Sequence, residues 1–251
     1  MAQQASHIIA RTKQPGIILT SLWEEFCRLR TVVRGEHTVD AIHDLRVVSR
    51  RLRAAISLFA PLLPSKPAKT FSRKIRTVTR ELGRVRNIDE AMLYFKVQPA
   101  ALPHLMAGLG KARKKALRDA VALLKSLPMR DMDQGLKKMA ARMLSCVHDV
   151  AGEKMTAYMS CASEEQYQQV IELLPSAVTV ENVEGRHRLR IAIKKWRYRL
   201  ETVAEVSGLD FETTLETLKT YQTILGKLND MVAFAALCDD LNFSKVEKKG
   251  A

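Results

Sequence analysis

His43-Asp44-Leu45-Arg46-Val47-Val48-Ser49-Arg50-Arg51-Leu52-Arg53 decides the fold, because the whole stretch fits one helix with two opposed faces. At ~100° per residue, His43, Arg46, Arg50 and Arg53 fall within an arc of roughly 80°, and Leu45, Val48, Leu52, Ala55 and Ile56 gather opposite. Such a helix buries one side in a core and presents cations on the other.

The pattern returns downstream as His187-Arg188-Leu189-Arg190-Ile191-Ala192-Ile193-Lys194-Lys195-Trp196-Arg197, 144 residues on from the first copy. His187, Arg190, Lys194 and Arg197 repeat the cationic arc, with Leu189, Ala192 and Trp196 behind them. A second motif follows each copy, Leu82-Gly83-Arg84-Val85 and Leu225-Gly226-Lys227-Leu228, 143 residues apart. Two motifs in one order and nearly one spacing predict an internal duplication. The predicted organisation is a single domain over 1–251, with a first helical half at 17–150 and a connecting region at 151–183. A second half at 184–241 and a polar tail at 242–251 complete it. Ser, Glu, Gln and Pro become frequent in the connecting region, and the basic helical pattern lapses there.

Between sparse glycines and prolines the chain is rich in Ala, Leu, Arg, Lys, Glu and Met, all good helix formers. Helices are expected near 17–34, 39–60, 69–96, 104–127, 131–160, 164–174, 184–206 and 211–241. Pro61 to Pro67, Pro99 to Pro103, Pro128, Pro175 and Gly208 are the expected separators. No segment alternates as a surface strand does, so the fold class is all-α.

Charge narrows the function. Forty-one Lys and Arg against 27 Asp and Glu leave a net charge of +14, which a polyanionic partner would neutralise. Nucleic acid, an anionic membrane and polyphosphate all satisfy that condition. The aromatic content of 6% speaks against single-stranded nucleic acid, whose bases stack on exposed rings. Apolar residues make up 47%, enough for a real core, yet no apolar run approaches the roughly 20 residues that span a bilayer. The N-terminus lacks a basic-then-apolar signal pattern, so a cytoplasmic location is expected. Cys27, Cys146, Cys161 and Cys238 are scattered without a Cys-x-x-Cys pair and are read as free thiols.

Basic stripes recur beyond the two motifs. Arg73, Arg76, Arg80 and Arg84 lie at spacings of three and four, and Lys111, Lys114, Arg118 and Lys125 share one arc. Like charges so spaced cost an isolated helix a few tenths of a kcal/mol per pair, about 0.2–0.5, which closely spaced phosphates would offset. Arginine forks suit phosphate oxygens, and lysine serves as a point charge. The plainer reading makes each stripe a solvated face paired with acidic helices, and for one stripe alone it is preferred.

His43-Asp44 invites comparison with metal-dependent phosphohydrolases, but the second copy has Arg188 in place of the aspartate. His7, His37, His104 and His148 show no metal-ligand spacing. No phosphate loop, nucleophile elbow or His-Glu-x-x-His site occurs, so no catalytic residue, metal or cofactor is expected. Asp89 and Asp230, just after the Leu-Gly motifs, are read as caps or as partners of the basic stripes.

These residues resemble the CHAD family, the conserved histidine α-helical domain, whose hallmark is a twice-used His-x-x-Arg-x-x-x-Arg/Lys-Arg/Lys-x-Arg helix. The first half continues like the family through Arg86-Asn87-Ile88-Asp89, and the second through Asn229-Asp230; Arg197-Tyr198 and Glu201 also look like the second copy. The likeness runs from about residue 17 to 241. Asn87, Trp196 and an end soon after the second Leu-Gly motif depart from the pattern.

The resemblance implies two antiparallel helical bundles related by a pseudo-twofold, lining a basic channel or groove for inorganic polyphosphate, with no catalysis. Carried over residue by residue, the implied contacts are His43, Arg46, Arg50, Arg51 and Arg53, then His187, Arg190, Lys194, Lys195 and Arg197. Arg73, Arg76, Arg80, Arg84, Lys219 and Lys227 are second choices. The expected function is non-enzymatic polyphosphate binding with targeting to polyphosphate granules. The alternative is a nucleic-acid-binding helical protein using the same faces.

Overall fold

The computed structural model describes residues 14–96, 103–149, 152–179 and 181–240. Among them are eight α-helices and one 3-10 turn, in the order α1 (Pro15–Gly35), α2 (Val39–Leu58), the turn (Ala60–Leu62), α3 (Ser65–Lys96) and α4 (Pro103–Ser126). There follow α5 (Met129–Asp149), α6 (Gly152–Val178), α7 (Val183–Ser207) and α8 (Glu212–Asp240). The all-α expectation holds.

Local signals set most boundaries. Pro15 opens α1 at its first turn, where a missing N–H costs nothing. Thr38 caps α2 by accepting from the Ala41 N–H at 3.2 Å, after a left-handed His37 turns the chain. Gly208, with φ 70°, closes α7 in the left-handed conformation that suits glycine. Pro67 does not separate helices as expected. It sits in the first turn of α3, again among N–H groups that have no helical partner.

The largest departure lies between 129 and 178. In place of helices at 131–160 and 164–174, α5 ends at Asp149 and α6 runs unbroken from Gly152 through Pro175 to Val178. Pro175 falls within one turn of the helix end, so it removes one hydrogen bond without a long continuation to disrupt. The stretch read as a connecting region is thus largely helix, packed along α7.

Apolar faces gather into two cores. The larger holds Leu45, Leu52 and Ile56 of α2 with Ile75 and Leu82 of α3, Trp23 and Phe26 of α1, and residues of α4 and α5. Trp23 stacks on Phe26 and meets Phe71 edge-on, and its Nε1 donates to Asp133 at 3.1 Å. The smaller core joins Val170 and Ala177 of α6, Leu189, Ala192, Ile193 and Leu200 of α7, and Leu218 of α8. Trp196 belongs to its margin, its ring against Tyr167 and its Nε1 donating to Ser163 Oγ, which explains an aromatic residue at that position. The packing is consistent with two bundles.

The start of α7 depends on a glycine. Asn182 accepts from the Gly185 N–H at 2.7 Å and donates to the Ser176 carbonyl at 2.9 Å, tying α7 to the end of α6. A Cβ on Gly185 would stand 2.9 Å from that carbonyl oxygen and 2.7 Å from Asn182 Nδ2. Gly185→Ala is expected to lower stability by about 2 kcal/mol, read as a reduced urea midpoint, because the backbone oxygen cannot swing aside.

Candidate functional site

The apolar stripes of α2 and α7 face their respective cores, and the two helices also pack against each other. Their cationic faces therefore meet at a seam between the larger and smaller cores. Arg46, Arg50, Arg190 and Lys194 come close enough there to repel one another. These are four of the ten motif residues named from the sequence, two from each copy.

Lys194 is the most constrained, with only 6% of its surface exposed. Burial pushes its amine down to about 6, and Arg50, Arg190 and Arg46 push in the same direction, against Asp230 of α8. Arg46 is lowered to about 10, first by burial and then by Arg50. Arg50, Arg53 and Arg190 also lie below the ordinary arginine value, each chiefly from burial. Asp230 approaches Arg190 only to 4.0 Å. Positive charge is thus held at the seam with little local neutralisation.

The Leu-Gly motifs seat two of these arginines. Arg46 Nε would lie 3.5 Å from a Cβ on Gly83 of α3, and Arg190 Nε 4.0 Å from one on Gly226 of α8. Each guanidinium lies across a stretch of helix without a side chain. Both Nε atoms are buried and have no hydrogen-bond partner. His187 Nδ1 meets Asn229 Oδ1 at 2.7 Å, whereas His43 Nδ1 is buried without a partner.

Beside the seam a cavity of about 530 Å³ opens between α2, α3, α6 and α7. Arg50, Arg53, Lys69, Arg76, Lys195 and Arg199 contribute to its walls, and its lining includes no carboxylate. Arg50 borders both the cavity and the buried cluster, joining them into one cationic region.

Other predicted residues lie elsewhere. Arg51 donates to Glu205 at 2.8 Å and stands 3.6 Å from Glu201, bridging α2 to α7. Arg197 donates to Glu201 at 2.9 Å and to Gln222 at 3.1 Å. Burial raises Glu201 above the usual carboxylate value, although Arg197 and Arg51 oppose that. Of Arg73, Arg76, Arg80 and Arg84, only Arg76 lines the cavity, and Arg80 and Arg84 both pair with Glu81. Lys219 lines a separate depression at the start of α8, near Glu216. Lys227 is exposed, and neither it nor the stripe Lys111, Lys114, Arg118 and Lys125 on α4 borders the cavity.

Lys69, Arg199 and Tyr198 were not singled out as site residues, yet all three line the cavity. Lys69, Ser72 and Arg76 have the helical spacing of one face, so the signal was present in the sequence. Asp89 is buried and bonded to Arg113 of α4 at 2.5 Å, a tie between α3 and α4. No group of three or more His, Cys, Asp or Glu able to hold a metal occurs among the described residues. Cys27 and Cys161 are free thiols; Cys146 and Cys238 have side chains outside those described. No helix among the described residues is long and apolar enough to cross a membrane.

The CHAD domain family model matches residues 18–239 of this chain. Among solved structures, the fold is similar to the crystal structure of the CHAD domain from the plant Ricinus communis, with a TM-score of 0.74 and 24% sequence identity. That similarity covers 96% of this chain and 83% of the plant chain. No curated protein matches.

Proposed function

The chain belongs to the CHAD domain family, and on that premise we propose that it binds inorganic polyphosphate, without catalysis, along the α2–α7 seam and the adjoining cavity. The observation that carries this reading is the set of three guanidinium groups, Arg46, Arg50 and Arg190, gathered around the buried amine of Lys194. A buried cation is destabilising unless paired, and several together call for a partner with several negative charges. A polyphosphate chain supplies one at each unit, with oxygens that arginine forks can grip.

Arg46, Arg50, Arg53, Arg190, Lys194 and Lys195 form the main contact set in this reading, extended by Arg76, Lys69 and Arg199. Arg51 and Arg197 act mainly through Glu201 and Glu205, holding α2 to α7. His43 and His187 shape the ends of the site. The reading also takes the halves at 17–150 and 184–241 as duplicates related by a pseudo-twofold. Gly83 beneath Arg46 and Gly226 beneath Arg190 support that symmetry. The cellular proposal is a cytoplasmic protein that associates with polyphosphate granules.

The test is competition. Labelled long-chain polyphosphate is titrated into the protein at near-physiological salt, with RNA and duplex DNA as unlabelled competitors at equal phosphate concentration. Retention of polyphosphate is expected. Ready displacement would replace this reading with nucleic-acid binding through the same cations, since both ligands release counterions.

A further inference from the structure

Arg50 sits where the buried cluster meets the cavity, among like charges that repel it. Its position therefore requires a restraint. Among the described residues it makes no hydrogen bond or ion pair, but its guanidinium carbon lies 5.1 Å from the centroid of the Tyr198 ring. The same ring carries Arg197 at 4.6 Å. Arg197 is independently held by Glu201 and Gln222, so the ring also meets a fixed cation. Tyr198 is 6% exposed, and that remnant faces the cavity.

We propose that Tyr198 is a positioning residue for the anion site, its ring face holding Arg50 at the junction of cluster and cavity so that one ligand can engage both. The proposal rests on the polyphosphate reading. A guanidinium over an aromatic face is attracted to the ring's negative face, which favours one rotamer of Arg50 against repulsion from Arg46, Arg53 and Arg197. Without the ring, Arg50 would swing towards solvent. The ring face supplies this restraint and the hydroxyl does not, which distinguishes the role from that of a polar ligand contact.

Tyr198→Phe and Tyr198→Leu separate the two. Dissociation constants for long-chain polyphosphate would be measured across a range of salt concentrations, with thermal melts to check folding. Tyr198→Phe is expected to match the unsubstituted chain. Tyr198→Leu is expected to bind roughly tenfold more weakly and to lower the slope of log affinity against log salt by about one, the signature of one lost phosphate contact. In an Arg50→Ala background, Tyr198→Leu should cause no further loss, because the ring acts through Arg50. An unchanged salt slope in Tyr198→Leu, or additive losses in the double variant, would overturn the proposal.

A ligand-free measurement keeps the two claims apart. Rotation of the Arg50 guanidinium about its Nε–Cζ bond, followed by arginine side-chain NMR, should be restricted in the unsubstituted chain and in Tyr198→Phe. Free rotation in the unsubstituted chain would overturn the positioning role whether or not any variant folds. Restricted rotation without polyphosphate binding would instead reject the ligand and retain the role of the ring.

Discussion

Arg50→Glu combined with Arg53→Glu is expected to weaken polyphosphate binding by roughly 100-fold or more, with helical content close to that of the unsubstituted chain. Both side chains line the cavity, while the core face of α2, formed by Leu45, Val48 and Leu52, lies opposite and is untouched. Glutamate is a good helix former, and each new carboxylate would stand among cations that now repel one another. The folded state should therefore gain local neutralisation as it loses the ligand. Polyphosphate titration and circular dichroism read the two effects separately. Loss of helical content in place of binding would make the stripe structural.

Lys194→Met should move stability and affinity in opposite directions. Near pH 7 the substitution is expected to stabilise the free protein by on the order of 1–3 kcal/mol, because a buried polar group among three guanidinium groups becomes an apolar one of similar length. Polyphosphate affinity should fall. The pH dependence follows from the depressed amine, about 6 when folded against an ordinary 10.5. Between those values the unfolded chain binds a proton that the folded chain does not. The contribution of Lys194 to stability therefore rises with pH across the window and is complete only above the unfolded value.

Binding has the opposite sign. A polyanion favours the charged amine, so the complex takes up a proton, and affinity should decline as pH rises from about 6. Urea unfolding and titrations at several pH values should show both slopes, each reduced in Lys194→Met. An unchanged slope would remove Lys194 from the site.

The helical stripes were legible because periodicity survives without any knowledge of tertiary contacts. Leu45, Leu52, Leu189 and Ala192 are buried as their spacing requires. The Leu-Gly motifs could be found by repetition, but their action could not, since Arg46 meets Gly83 only after α2 and α3 pack. Proline was the least reliable signal. Pro67 and Pro175 lie within helices because position relative to the helix end governs their cost.

Site membership failed where a cation had a choice of partners. Arg51 belongs to the motif as surely as Arg50, yet Glu205 lies 154 residues away and claims it. Arg80 and Arg84 are drawn to Glu81 on their own helix. Tyr198 stood beside the motif and was noted only as part of a resemblance, because a single tyrosine in a helix gives no sign of the guanidinium groups that will meet its ring. Lys69 stands four residues before Arg73, on the same stripe of α3, and the sequence reading began that stripe one turn too late.

A crystal structure of the protein with a short, defined polyphosphate would show where the phosphate chain lies. The expected result is a chain of phosphates along the α2–α7 seam, with oxygens within hydrogen-bond distance of Arg46, Arg50, Arg190 and Lys194, continuing towards Arg53 and Lys195. Phosphates confined to the exposed cations of α4, with the seam unchanged, would contradict it.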